Sequence, residues 1–545
     1  MKNKPYPLYE RPNILDFREF VDWCGNEYSS LTAFSFKKGK QLIKKSYADF
    51  RNEVRQASAM LTLKGLYQDK IAVLGENSYG WLLSYFATVL SGNVIVPIDK
   101  QLSEEQVERL LGETEVKMLF ISASYNDYAE CIHNKLPDID IITIQNDISD
   151  WALPFCDDYN SVYNSVSINP DDLAAIIYTS GTTDKAKGVM LTHRNICSNC
   201  IGGLKNLIVA TTTTTILTLP LHHTYSLVGS VMTFMMDGVV IYINRSIKEI
   251  KKDFVEQRPT TVAMVPMMVE TFYKQIWDTA INNHQDKKLK AAITISDALL
   301  RVGIDLRRKI FKDVLAAFGG NLDRIICGGA PLDKNYIKGF RSFGIQLTTG
   351  YGITECSPMV SVTRNNYQKD ASVGLKLCNV EVKIDRFPNS KEGEICLKGE
   401  CVFKGYYNAP ELTAAAFDED GYFKTGDVGY IDEDGFVYVT GRIKNIIILA
   451  NGKNVYPEEL EFEWMKNPAV KEVLVYEKDN AIAVEILPDA EFFKENPADL
   501  DTFFADALAE FNHRQPPHKN ISQVILRDTP FPKTTTMKIR RNYNN

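Results

Sequence analysis

Chemistry concentrates in one segment: Tyr178-Thr179-Ser180-Gly181-Thr182-Thr183-Asp184-Lys185-Ala186-Lys187-Gly188. An apolar run, Ala174 to Tyr178, leads straight into two glycines, four aliphatic hydroxyls and two lysines. Backbone amides freed by glycine, hydroxyl donors and a cation together make a cradle for phosphate. An ordinary polar turn has the same composition, and no GxxxxGK[ST] spacing runs through the segment. Asp427, after Thr425-Gly426 at the end of a short strand, can accept two hydrogen bonds from vicinal sugar hydroxyls, or cap a turn. Arg442 offers a rigid donor fork to a sugar or phosphate, and equally to a surface ion pair. Glu355, after Thr354, supplies a hard oxygen for Mg2+ bridging nucleotide phosphates; a helix N-terminal acid looks the same. Lys538 lies beside Arg540 and Arg541, and such basic tails are usually solvated faces.

These residues need a scaffold, and 545 residues allow roughly three to five folding units. Apolar residues at 45%, charged residues at 24% and aromatics at 11% exclude disorder as the main state. The 62 Lys and Arg against 69 Asp and Glu leave a net charge of −7, which argues against non-specific nucleic-acid binding. The N-terminus has no apolar run of signal-peptide length. The longest apolar stretch, Leu227 to Ile243, is broken by Gly229, Asp237 and Gly238, and reads as a buried helix followed by a strand. Ten cysteines in so long a chain do not form a disulfide framework. Cys197 and Cys200 make one CxxC with no second pair nearby to complete a zinc site. A cytoplasmic protein is expected.

Strand-like and helix-like patterns alternate through most of the chain. KIAVLGE (70–76), GWLLSYFATVLSG (80–92), NVIVPID (93–99), SEEQVERLLGET (103–114) and VKMLFIS (116–122) are one such series. Ser103 with Gln106 three residues on is a helix start. Strands separated by helices of this length imply parallel pairing and an α/β architecture. Further strands are expected within 171–180, 260–266 and 322–332. After about residue 390 the runs EGEICLKG, GFVYVTGR and NIIILA are separated by Gly and Asp turns, which suggests antiparallel pairing. The last hundred or so residues read as a compact α+β unit: a hairpin over 473–487, then a helix over 499–514 stopped by Pro516-Pro517. Thr211–Thr215 reads as a solvated loop, and a domain boundary is placed near Arg442–Asn445.

TSGTTDKAKGVMLTH resembles the signature of the adenylate-forming superfamily, which includes acyl-CoA synthetases, luciferases and peptide-synthetase adenylation domains. Other landmarks follow in the family's order: PLHHTY (220–225), GGAPL (328–332), TTGYGITE (348–355), YFKTGD (422–427), GRIKNIIILANGKNVYPEELE (441–461) and PKTTTMKIRR (532–541). The likeness covers about residues 50 to 541. It implies a large N-terminal domain, 1–443, of doubly wound α/β subdomains with a β-rich subdomain from about 370, and a small mobile α+β domain, 444–545.

The resemblance also implies roles. Thr179, Ser180, Gly181, Thr182, Thr183 and Lys187 would bind ATP phosphates. Gly329, Ala330 and Pro331 would form a flat wall against adenine, with Tyr351 on its other side and Gly352 and Thr354 adjoining the nucleotide. Glu355 and Thr182 would hold Mg2+, Asp427 the ribose, and Arg442 the ribose or phosphate. Lys538 would enter the active site to neutralise charge between carboxylate and α-phosphate, forming a catalytic set with Lys187, Glu355 and His223. Lys444 stands at the hinge position, and Gly452 and His223 border the coenzyme A route. Three residues depart from the family's pattern: Asp184 for Gly, Ala186 for Pro, and Met537 for Gly before the lysine.

Amino-acid-activating members place an Asp in the fourth motif to bind the α-ammonium, whereas this chain has Leu221-His222-His223-Thr224-Tyr225. That favours a plain carboxylic acid, because a buried ammonium would lack a partner. The segment Ser226–Met236 suits either an alkyl-binding wall or core packing. The pattern resembles fatty acyl-CoA synthetases of the long-chain type. The implied reaction forms acyl-AMP and pyrophosphate from ATP, then a thioester with coenzyme A. Two alternatives stand beside it: an acyl carrier protein as thiol acceptor, and a catalytically weakened nucleotide- or acyl-binding protein. Membrane association is expected to be peripheral at most, and no amphipathic anchor is evident in the sequence.

Overall fold

The computed structural model describes residues 5–144, 148, 151, 157–179, 186–209, 213–244, 246–449, 454–479, 481–533 and 539–541. The chain forms two compact units, one of Met1–Glu381 with Lys398–Gly421, the other of Val382–Leu397 with Tyr422–Asn545.

The first unit is an α/β structure. Its largest sheet has seven strands, ordered Gly405–Tyr406, Lys187–Thr192, Leu173–Thr179, Val94–Ile98, Lys70–Leu74, Met118–Ser122 and Asp140–Ile144. The last five in this order pair in parallel, and the first two are antiparallel additions at one edge. Val94–Ile98 lies on one side of Lys70–Leu74 and Met118–Ser122 on the other, so the sheet is doubly wound. Parallel strands covered on both faces need continuous apolar sequence, and both Val94–Ile98 and Met118–Ser122 are buried throughout. The crossover helices begin where side chains satisfy the free amides. Ser103 and Gln106 close a reciprocal capping box at the start of Glu104–Glu113, as the spacing predicts.

A second sheet of the same unit runs Thr261–Met264, Arg324–Cys327, Gln346–Gly352, Met359–Val362 and Leu375–Lys376, the first three parallel and the last two antiparallel. A third contains Thr214–Leu217, which corrects the loop expected over Thr211–Thr215 at Thr214 and Thr215; Thr211 and Thr212 lie outside the described residues. Thr214 and Thr215 pair with Val240 and Ile241, and Thr215 is buried; a β-branched residue fits a strand whatever its hydroxyl.

The second unit is antiparallel and α+β. Four strands, Val380–Arg386, Gly393–Gly399, Phe423–Ile431 and Val437–Arg442, form one sheet. The hairpin Val470–Lys478 and Ala481–Pro488 forms as expected, with Gln523–Leu526 added in parallel. The helix Leu500–Arg514 starts at an Asp499 cap and buries Phe504 and Phe511, the latter stacked 4.9 Å from Trp464. Of the run NIIILA, Ile447–Ile448 is strand among the described residues, and Ala450 lies outside them.

Gly374 shows how closely the second sheet is packed. Its φ is +94°, and a Cβ there would sit 2.1 Å from the Val362 carbonyl carbon. Gly374→Ala therefore combines left-handed strain with a backbone clash and is expected to cost about 2–3 kcal/mol. An unchanged denaturation midpoint would contradict that packing.

Candidate active site

The segment singled out by its chemistry is the connection of an antiparallel hairpin. Leu173–Thr179 enters it, Lys187–Thr192 leaves it, and Thr179 pairs with Lys187 across its mouth. Ser180, Gly181, Thr182, Thr183, Asp184 and Lys185 lie outside the described residues. Lys187 is described, and its Nζ stands 5.1 Å from the ring centroid of Tyr406, a cation–π contact. The Tyr406 hydroxyl donates to Glu355 Oε1 at 2.9 Å. Burial, followed by the charge of Glu355, raises the Tyr406 pKa, which keeps the phenol a donor. Tyr406 thus links two of the expected site residues. Nothing in its sequence neighbourhood, Gly405-Tyr406-Tyr407, distinguishes it from core aromatics.

Glu355 sits on the short turn Thr354–Cys356, just past the strand Gln346–Gly352. Its carbonyl accepts from Phe403 N at 2.9 Å, and the buried Asn199 amide donates to the carbonyls of Cys356 and Met359. One carboxylate oxygen is engaged by Tyr406, and Oε2 accepts no hydrogen bond from the described residues. No cluster of three or more metal-ligating side chains occurs among the described residues. A lone half-buried carboxylate suits Mg2+, which keeps waters and binds through one or two carboxylates plus substrate phosphates.

Arg324–Cys327 and Gln346–Gly352 are parallel neighbours, so Gly328–Pro331 and Ile353–Glu355 leave the sheet at the same end, with Tyr351 and Gly352 still paired in the strand. Gly329, Ala330 and Pro331 are exposed there. Beneath them lies the Tyr225 ring, fixed by its hydroxyl donating to Ile326 O at 3.0 Å and Met264 O at 3.3 Å. A Cβ on Gly328 would come within 3.2 Å of that ring, and one on Gly352 within 2.2 Å of Pro358 O. Space is short only at Gly328 and Gly352; a Cβ on Gly329 would meet nothing closer than Val265 at 3.7 Å, so its φ of +89°, and not crowding, favours glycine there.

His223 lines an apolar pocket with His222, Tyr85, Ile177, Leu191 and Leu227. The two imidazoles are 4.1 Å apart, and His222 Nε2 lies 3.5 Å from Asp99 Oδ2. Neither His222 nor Asp99 was expected in the site; their approach depends on the fold and leaves no local pattern. Of the two readings of Ser226–Met236, packing accounts for the methionines. Met232, Met235 and Met236 are buried, and Met236 Sδ touches Cys24 Sγ at 3.7 Å. Leu227 and Val228 alone of this run line the pocket, from a π-helical stretch, Leu227–Met232. Cys197 and Cys200 are buried free thiols in the helix His193–Asn206.

In the second unit, Asp427 is inside the strand Phe423–Ile431 and not at a strand end as expected. The strand bulges there: Glu394 pairs with Val428 but Cys396 with Lys424. Gly426, at φ +71°, makes the bulge possible, and its N–H donates to Glu394 Oε1. The buried Asp427 carboxylate meets Arg442 Nε at 2.8 Å, while Arg442 is 44% exposed. Lys444 is exposed on the turn Ile443–Asn445. Lys538, Met537 and Gly452 lie outside the described residues, but the chain on either side of Lys538 is anchored. Lys533 and Ile539 bridge, Glu472 binds Lys533 Nζ and Phe531 N, and Arg541 binds Glu461 and Val475 O. Because the buried Asp427 carboxylate loses a donor while Arg442 itself is screened by solvent, Arg442→Ala is expected to cost about 1–3 kcal/mol of stability. A nucleotide-binding loss larger than that would mark it as a ligand residue; equal losses would reduce it to a structural ion pair.

The pattern of the AMP-binding enzyme family matches residues 21–407, and that of the AMP-binding enzyme C-terminal domain matches residues 444–544. Long-chain-fatty-acid–CoA ligase FadD15 of Mycobacterium bovis is 29% identical over 452 residues, 78% of this chain and 74% of that protein. Long-chain-fatty-acid–CoA ligase 1 of Homo sapiens is 28% identical over 458 residues, 77% of this chain and 66% of that protein. ATP-bound MatB from Rhodopseudomonas palustris shares the fold, with a TM-score of 0.74 at 24% identity over 97% of this chain and 98% of that one. The chain belongs to the AMP-binding enzyme family.

Proposed function

We propose that the protein activates a fatty acid with ATP, forming acyl-AMP and pyrophosphate, and then transfers the acyl group to coenzyme A. The observation that carries the reading is the linked set Lys187, Tyr406 and Glu355, a cation and a carboxylate held beside the hairpin mouth. The names of the Mycobacterium and human relatives support the fatty-acyl substrate and the coenzyme A acceptor.

In-line attack at phosphorus depends mainly on positioning and charge neutralisation. Lys187 neutralises phosphate charge, and Ser180, Gly181, Thr182 and Thr183, with Thr179, are assigned to the phosphates by the family pattern. Glu355, with Thr182, would hold Mg2+, which when bound neutralises the phosphates and the departing pyrophosphate. Adenine lies on Gly329–Pro331, with Tyr351 opposite and Gly352 and Thr354 adjoining it. Asp427 accepts from the ribose hydroxyls and Arg442 donates to ribose or phosphate. Lys538 bridges the attacking carboxylate and the α-phosphate. A division at 443/444 with its hinge at Lys444 then lets the C-terminal domain exchange Lys538 for the Gly452 segment, beside the thiol route that His223 borders. The match of the C-terminal family pattern from residue 444 supports that division. The lining of the small pocket beside His223 includes no carboxylate, which supports a plain carboxylic acid over an α-amino acid.

ATP–pyrophosphate exchange with Mg2+ and straight-chain fatty acids tests the first step. Exchange is expected with the wild type and to fall at least about 100-fold in Lys538→Ala. Nucleotide binding with no exchange for any acid would replace this reading with a binding protein disabled by Asp184 and Met537. AMP release that needs an acyl carrier protein in place of coenzyme A would change the acceptor. Tyr406→Phe keeps the ring over Lys187 but removes the bond to Glu355. Loss of one hydrogen bond to a charged group predicts a roughly 10-fold higher Mg2+ requirement. An unchanged requirement would detach Tyr406 from the metal-binding carboxylate.

A further inference from the structure

The most conspicuous unused surface lies on a helical hairpin, Pro266–Asn282 and Asp286–Arg301, with the chain that follows it. Residues 281–312 contain eight Lys and Arg against three Asp, a local charge of +5 in a chain whose net charge is −7. The same stretch exposes large aliphatic side chains: Val302 is 72% exposed, Ile295 59%, Ile281 54% and Ile304 48%. Arg307 and Arg308 are engaged by Asp305 and by backbone carbonyls, and Lys290 stands over the Trp277 ring, so the exposed aliphatics have Lys287, Lys288 and Arg301 as their nearest cations in sequence without such a contact.

The helix Asp286–Arg301 orders them. At 100° per residue, Ala291, Ile295 and Ala298 fall on one narrow strip that Val302, the residue capping the helix, continues, and all four are exposed. Lys287, Lys290 and Arg301 border that strip on one side and Lys288 on the other. The opposite face, with Leu289, Ala292, Ile293, Ser296, Leu299 and Leu300, turns toward the protein and is partly or wholly buried. A basic dock for an acidic protein would use the cations but gain nothing from an aliphatic strip running between them. An interface of anionic headgroups over acyl chains satisfies both at once.

We propose that this helix face docks the protein on an anionic lipid surface. The cations lie among headgroup phosphates while Ile295 and Val302, with Ile304 beside them, enter the acyl boundary. No helix among the described residues is long and apolar enough to cross a membrane, so the association is interfacial. The surface lies apart in sequence from every residue assigned to the nucleotide, and the docking does not depend on the acyl-activation reading.

Flotation of the full-length protein with vesicles tests it. Vesicles of phosphatidylglycerol and phosphatidylcholine should carry at least about 10-fold more protein than phosphatidylcholine alone, and high salt should remove the difference. Lys287→Glu/Lys288→Glu/Arg301→Glu should lower the bound fraction at least about 10-fold. Ile295→Ser/Val302→Ser should lower it several-fold at unchanged charge, and it decides the matter if the triple variant does not fold. Both variants are expected to keep the wild-type melting temperature, since the substituted side chains are exposed. Equal binding to neutral and anionic vesicles, wild-type binding by the serine variant, or binding of an acidic carrier protein without vesicle binding would each overturn the proposal.

Discussion

The candidate site depends on a seam between two sheets, closed by the hydrogen bond from the Tyr406 hydroxyl to Glu355. Tyr406 belongs to an edge strand of the seven-stranded sheet, and Glu355 follows the third parallel strand of the five-stranded one. Two buried amides secure the same seam from the helix His193–Asn206. Asn195 donates to the carbonyls of Glu400 and Val402, and Asn199 to those of Cys356 and Met359, while also accepting from Met359 N. Each buried carbonyl left without a donor would cost about 1–3 kcal/mol, so apolar substitutes at these positions are unfavourable. The cation on one sheet and the carboxylate on the other are thereby held in fixed relation by groups that take no part in chemistry.

Parallel strands explain why chemistry gathers where it does. Their carboxyl ends share an edge, so the turns after Cys327 and Gly352 open side by side. The hairpin at Thr179–Lys187 uses antiparallel pairing to return the chain, which places Lys187 across from Thr179 and under Tyr406. The second unit solves a different problem. A bulge at Gly426 turns the buried Asp427 carboxylate toward a half-exposed arginine.

Much of this was legible in the sequence where local rules govern. The capping box at Ser103, the continuous apolar strands, the hairpin over 473–487 and the helix ended by Pro516-Pro517 all follow from short-range sterics and amide satisfaction. The residues that escaped are those defined by partners far away in sequence. Tyr406 meets Glu355 across 51 positions, and His222 approaches Asp99 across more than a hundred. Thr214 and Thr215 read as loop because a polar run hides β-branching, which a partner strand then uses. The strip through Ile295 and Val302 is helical in pattern, but its period alone cannot say which face is left bare. Position relative to the whole fold decides exposure, and short motifs carry no record of it.

Acyl activation through an adenylate has a chemical consequence that binding alone lacks. A carboxylate oxygen becomes the bridge to phosphorus, and thiol attack on the acyl carbon leaves that oxygen on AMP. The direct measurement is a turnover with a fatty acid labelled by 18O in both carboxylate positions, followed by mass spectrometry of the nucleotide product. One 18O atom per AMP is the predicted result. Thioester formed with unlabelled AMP, or with the label in inorganic phosphate, would contradict attack of the carboxylate on the α-phosphate.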